Sequence, residues 1–198
     1  MFLVYNILKR WEIKRFEKII NERKWDRMKK LLLIIDMQND FIDGSLGTAE
    51  AEAIVKNVVE KADAFDGEVI FTRDTHFENY LDTAEGKNLP VKHCIKGTNG
   101  WEICDQLKNT AVYKKSRIID KLTFGSSELG QIISEEKPEE VYIVGLCTDI
   151  CVISNAMIVK AFSPETVITV FSECCAGVTP ESHQNALNAM KMCQVVVK

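Results

Sequence analysis

Short, unbroken apolar runs recur along this chain, and segments with helical spacing lie between them. "LLLIID" at 31–36, "EVIFTRD" at 68–74, "VYIVG" at 141–145 and "TVITVFS" at 166–172 are runs of this kind. A strand that is apolar on successive residues, not on alternate ones, must be covered on both faces, which is the signature of a parallel sheet. Between the runs, 51–65, 126–137, 148–162 and 180–193 carry apolar residues at helical intervals. Pro180 suits the first turn of the last of these, and Thr148 or Asp149 is the cap candidate for the third. "AVYKKS" at 111–116 is the expected third strand, and "QVVV" at 194–197 a final short one. Strand and helix in turn predict a three-layer α/β/α fold with a central, mostly parallel sheet.

Length and charge bound the rest. The chain has 198 residues, 46% of them hydrophobic, enough for one domain with a sizeable core. The net charge is −4, but residues 1–30 hold ten Lys/Arg against four Asp/Glu. The body is therefore acidic, which argues against nucleic acid as a partner. Residues 1–30 form a basic extension before a domain at 31–198. The apolar residues Phe2, Leu3, Ile7, Leu8, Trp11, Ile13, Phe16, Ile19 and Ile20 recur there at roughly helical spacing. Such a segment could rest on a membrane surface or another subunit. The plainer expectation is that it is dispensable, and that a chain starting at Met28 folds and works as the full chain does. Melting temperature and kcat/KM of the two proteins test this.

Seven cysteines, an odd number with no CxxC pair, do not read as a disulfide framework. Reduced thiols in the cytoplasm are expected, without stable membrane insertion, since no apolar run reaches 18 residues. Assembly as a homo-oligomer is left open.

In parallel α/β folds ligands bind beyond the C-terminal ends of the strands. Asp36 ends the first expected strand, Asp74 and His76 the second, and Cys147 and Cys151 follow the strand at 141–145. Cys151 stands just inside a helix start, where free N–H groups and the helix dipole favour a thiolate. A packed core cysteine is the competing reading, because Val152, Ile153 and Ile158 are apolar. Asp74, His76 and His93 offer oxygen and imidazole donors suited to zinc, iron or manganese. A capping aspartate and exposed loop histidines would explain them equally well. Lys114, Lys115 and Lys121 precede the cysteine strand, and any one could stabilise an anion or sit in solvent.

Taken in order, "IIDMQNDFIDGSLG", "TRDTHFEN", "LPVKHCIKGTNGWEI", "IIDKLTFGSSEL", "GLCTDICVISNAM" and "SECCAGVTPESHQNALNAMK" resemble the successive motifs of the isochorismatase-like cysteine hydrolases, most of all their nicotinamidase branch. The resemblance spans about 31–197. It implies Asp36 as base, Lys121 as its partner and Cys151 as nucleophile. It implies an oxyanion hole from the backbone N–H groups of Cys147 and Cys151, with a cis peptide between Leu146 and Cys147. It assigns Asp74, His76 and His93 to one divalent metal ion, zinc first, with iron or manganese as alternatives. The implied reaction converts nicotinamide to nicotinate and ammonia through a thioester. Another small amide, such as an N-carbamoyl or ureido compound, is the alternative substrate, and a non-catalytic binding protein the alternative class. Three departures stand out. Cys147 replaces a usual alanine, Glu173 a usual aspartate, and "LPVKHC" lacks the tryptophan often found before the proline. The aromatic wall for a ring substrate is then expected from Phe41 or Tyr80, with Leu146 beside the nucleophile.

Overall fold

The computed structural model describes residues 29–198; residues 1–28 of the basic extension, and the expectations placed on them, lie outside the described residues, and Lys30 already belongs to the first strand. Six strands form one sheet: β1 (Lys30–Ile35), β2 (Glu68–Asp74), β3 (Arg117–Lys121), β4 (Glu140–Leu146), β5 (Val167–Ala176) and β6 (Val196–Val197). Their order is β3-β2-β1-β4-β5-β6, and all five pairings are parallel. The chain builds outward from β1 in one direction, then returns and builds outward from β4 in the other. The crevice between β1 and β4 is thus the switch point, where such sheets bind ligands.

The helices are α1 (Asn39–Ile42), α2 (Ala49–Asp63), α3 (Ala84–Asn88), α4 (Asp105–Lys108), α5 (Ser127–Glu136), α6 (Ile153–Phe162) and α7 (Pro180–Met192). Alternate residues of β1 feed two cores. Leu32 and Ile34 pack with Ile54, Val55 and Val58 of α2, while Leu31, Leu33 and Ile35 pack with Leu129 and Ile133 of α5 and Val159 of α6. Both faces are covered, which is why β1 reads as a continuous apolar run. Thr48, Thr83, Ser126 and Thr179 cap α2, α3, α5 and α7 with their hydroxyls.

Three expectations need correction. The segment 111–116 is not a strand. Tyr113–Lys115 is a short 3-10 turn, closed by the Tyr113 N–H donating to Thr110 Oγ1 and the Ser116 hydroxyl donating to the Val112 carbonyl. The strand follows at Arg117–Lys121. It lies on the sheet edge, where Ile118 is exposed and Ile119 buried, so its apolar signal is short and weak. Second, neither Thr148 nor Asp149 caps the helix after β4. Cys147 holds the cap position with no side-chain bond, and Thr148–Val152 forms a π-helical turn before α6. The buried Thr148 hydroxyl pairs with His183 Nδ1, and the Asp149 carboxylate accepts the Val178 N–H. Third, β5 runs on to Ala176. A bulge opposite Ile143 and Gly145 shifts the register, and pairing resumes at Cys175 and Ala176. Cys174 and Cys175 are therefore both buried, one in each core. Gly145, at φ +115, lies so close to Ile35 that any side chain would collide with its carbonyl.

Candidate active site

Asp36, Asp74 and Lys121 stand at or just after the C-terminal ends of β1, β2 and β3, and Cys151 on the π turn after β4. The sheet order brings all four to one end of the crevice. Lys121 Nζ lies 2.7 Å from Asp36 Oδ2, 3.0 Å from Asp74 Oδ1 and 3.4 Å from Cys151 Sγ, and donates to the Thr123 carbonyl at 3.2 Å. Asp36 Oδ1 accepts the Thr72 hydroxyl at 2.7 Å. Its backbone has φ +48, uncommon for a residue with a side chain and frequent at functional sites. Lys121 is 3% exposed and Asp36 fully buried, so an ammonium and its carboxylates meet out of water. Lys114 and Lys115 are exposed on their turn.

Burial governs protonation here. It pushes the Asp36 carboxyl above its ordinary 3.8, and the Lys121 charge offsets this only in part. It also pushes the Cys151 thiol well above 9.0, reinforced by the Asp36 charge and opposed by Lys121. Burial disfavours the Lys121 ammonium too, but Asp36, Cys151 and Asp74 outweigh it and hold its pKa well above 10.5. Burial therefore acts against the thiolate that a helix start favours. Cys147 packs against the other core while also lining the cavity onto which Cys151 opens, and burial moves its thiol up to about 12. The peptide between Leu146 and Cys147 is cis.

The second constellation gains a member that the sequence reading missed. Single donor atoms of Asp74, His76, Glu85 and His93 all lie within 4.8 Å of one another. His76 Nε2 is 2.8 Å from Asp74 Oδ2 and 3.4 Å from Glu85 Oε1, and His93 Nε2 is 3.6 and 3.8 Å from the same atoms. The His93 Nδ1 contact with the Val91 carbonyl, at 2.8 Å, is a donation from N–H and leaves Nε2 facing the cluster. His76 Nε2 is buried and makes no directed hydrogen bond. Burial opposes charge on His76, but Asp74 and Glu85 overcome it and raise its pKa to about 9. Burial likewise opposes charge on Asp74, yet the two imidazoles and Lys121 hold it well below the carboxylate range. Two carboxylates and two imidazoles converging on one buried nitrogen without a hydrogen bond fit a divalent cation.

Glu85 sits in the first turn of α3, a short helix between the two histidines. A side chain at Gly86 would strike the Tyr80 carbonyl, so glycine lets α3 lie against the preceding turn. No fixed spacing links Glu85 to the D-x-H motif, because the intervening loop sets where it lands. Gln38 was also missed. It is fully buried, accepts the Asp74 N–H at 2.7 Å and donates to the carbonyls of Asp74 and Trp101 at 2.8 Å each. It thereby holds Asp74 from behind.

A cavity of about 730 Å³ opens onto both constellations, lined by Asp74, Glu85, His93 and Cys151. Phe41 and Leu146 lie on its wall, and so do Phe124 and Leu89, which the sequence reading did not single out. Tyr80 does not line it. That ring is fully buried behind the imidazoles, 4.5 Å from His76 and 5.0 Å from His93, with its hydroxyl donating to the Leu89 carbonyl. Its role is to support the histidines.

Residues 30–198 match the isochorismatase domain, and the chain belongs to that family. Within it, this is a nicotinamidase-like hydrolase. A nicotinamidase of Saccharomyces cerevisiae is 28% identical over 184 residues, covering 70% of this chain and 85% of its own. An uncharacterized isochorismatase family protein of Bacillus subtilis is 31% identical, covering 81% and 93%. The crystal structure of the pyrazinamidase of Pyrococcus horikoshii in complex with zinc superposes with a TM-score of 0.73 at 26% identity, covering 86% and 98%. Among the described residues no helix is long and apolar enough to cross a membrane.

Proposed function

We propose that the protein hydrolyses nicotinamide to nicotinate and ammonia through a thioester on Cys151. The observation that carries this reading is that Asp36 and Lys121 meet behind Cys151, which opens onto a cavity whose wall also holds Asp74, Glu85 and His93 of the four-donor cluster. Asp36 removes the thiol proton as the sulfur attacks the carboxamide carbon. The C–S bond forms, and the carbonyl electrons move to oxygen, where the backbone N–H groups of Cys147 and Cys151 receive the charge. The proton passes from Asp36 to the amide nitrogen as the C–N bond breaks and ammonia leaves. Water then attacks the thioester, giving up one proton to Asp36. The C–S bond breaks, the sulfur takes that proton back as the thiol, and the acid departs, ionising to nicotinate as its remaining proton passes to solvent or ammonia. Lys121 keeps Asp36 oriented and stays charged throughout.

Asp74, His76, Glu85 and His93 would hold the metal ion. Bound there, zinc, or iron or manganese, would supply a Lewis-acid anchor for the pyridine nitrogen. Phe41, Leu89 and Phe124 would flank the ring. Ammonia release from a panel of small amides, nicotinamide first, tests the substrate, with metal content measured on the same sample. Preference for an N-carbamoyl compound, or no ammonia from any amide, sinks the nicotinamide reading.

Two variants refine it. His76→Ala is expected to lower metal content and to raise KM at least as much as it lowers kcat, since the cluster's task is to hold the ring. Metal remaining stoichiometric after loss of both His76 and His93 refutes that role. Cys147→Ala is expected to keep most of the activity, because the change removes one atom from a thiol that packs against the other core and makes no polar contact with Asp36 or Lys121 in the proposed mechanism. A loss as large as that from Cys151 would mean the wrong thiol had been chosen.

A further inference from the structure

Asp74 faces two ways. Its Oδ1 receives the Lys121 ammonium at 3.0 Å, while its Oδ2 lies 2.8 Å from His76 Nε2 and 3.6 Å from His93 Nε2. The same ammonium is 3.4 Å from Cys151 Sγ and 2.7 Å from Asp36 Oδ2. One carboxylate therefore joins the thiol and its base to the four-donor cluster. Asp36, Asp74, Lys121 and Cys151 are each at most 5% exposed, so charge at one end is poorly screened at the other.

We infer that cation occupancy of the Asp74–His76–Glu85–His93 cluster sets the reactivity of Cys151, with Asp74 and Lys121 as the joint between them. The inference rests on the metal-assisted reading above and adds to it a task besides holding substrate. A cation on Oδ2 cancels most of the charge on Asp74. That carboxylate is one of the two acting against the sulfur anion, Asp36 being the other. The Lys121 ammonium, less tightly held by Oδ1, then gives more of its field to Asp36 and Cys151. The ion's own charge acts in the same direction. All three effects favour the sulfur anion, and a dication that displaces one proton from the imidazoles still brings net positive charge, so the sign holds. By linkage, the sulfur anion in turn tightens the hold on the cation by the same factor. Asp74 and Lys121 act here as positioning residues, through the sulfur's charge.

Alkylation of Cys151 by iodoacetamide reads this directly, without substrate or turnover. The whole protein is stripped with a chelator, half of it is reloaded with Zn²⁺, and the rate at the Cys151 peptide is followed by mass across a pH series. Reloading should speed alkylation near neutral pH by about fivefold or more. The midpoint of the pH profile should move down. A rate change without a midpoint shift would mean altered access to the thiol, and would overturn the inference. Equal rates and midpoints with one zinc bound per chain would also overturn it, while leaving the amidase reading intact. Protein that takes up no zinc at all would overturn it together with the metal part of that reading. In Lys121→Met the shift should shrink, and a full shift in this variant would overturn the joint. If that variant does not fold, the wild-type midpoints still decide.

Discussion

Cys151→Ala is expected to abolish ammonia release, by at least about 10⁴-fold, with the fold retained. Removing the nucleophile of a covalent mechanism removes the intermediate itself, and the other site residues cannot replace it. The structural cost is small. Cys151 Sγ fills a buried position beside Val152 and Ala156 and makes polar contacts with Lys121 and Asp36. Deleting that atom should cost about 1 kcal/mol, which a melting curve will register as a few degrees. Asp36 and Lys121 keep their 2.7 Å pairing in the variant, so substrate binding should survive. Turnover within tenfold of wild type would rule out the thioester route.

Lys121→Met should be damaging twice over. Catalysis should fall by at least about a thousandfold, because Asp36 loses the group that orients it. Stability should also drop, by about 3–5 kcal/mol, since the change leaves the buried Asp36 carboxylate without its counter-charge and beside the Asp74 carboxylate. The loss should depend on pH in a definite direction. The Asp36 carboxyl already titrates above its ordinary 3.8, and Lys121 is the main influence opposing that rise. Without Lys121 it rises further. A carboxyl raised in the folded state leaves the fold stable below the unfolded value and loses stability as pH climbs through the folded one. The deficit should therefore be small in acid and grow as the pH rises. Denaturant titrations of both proteins at two pH values check this. A deficit that is constant with pH, or absent, would show that Asp36 and Asp74 are not held ionised by Lys121.

Some of this was legible before any coordinates. Unbroken apolar runs such as 31–35 require cover on two faces, and that requirement alone points to a parallel sheet between helical layers. Residue order carried the chemistry nearly as far. Asp36, Asp74 and Cys151 each fall just past an apolar run, and such positions share one rim in any fold of this class. The edge strand was misread for the same physical reason that the others were read correctly. Arg117–Lys121 is covered on one side only at Ile118 and Ile119, and a half-buried run of five residues hardly differs from a turn.

The amino-acid sequence by itself determined the layer architecture, because periodicity and strand ends are local properties; the choice of Lys121 and Cys151, and of Asp74, His76 and His93 as ligands, came from the resemblance of the motifs. Only the tertiary structure decided which groups meet and in which protonation state. Glu85 joins Asp74, His76 and His93 because a loop of no fixed length brings α3 across them, and no spacing rule records that. Tyr80 lies behind the histidines and Phe124 on the cavity wall for the same reason. The upward push on the Cys151 thiol comes from burial and from the Asp36 and Asp74 charges, against Lys121, a balance that exists only once the sheet has assembled.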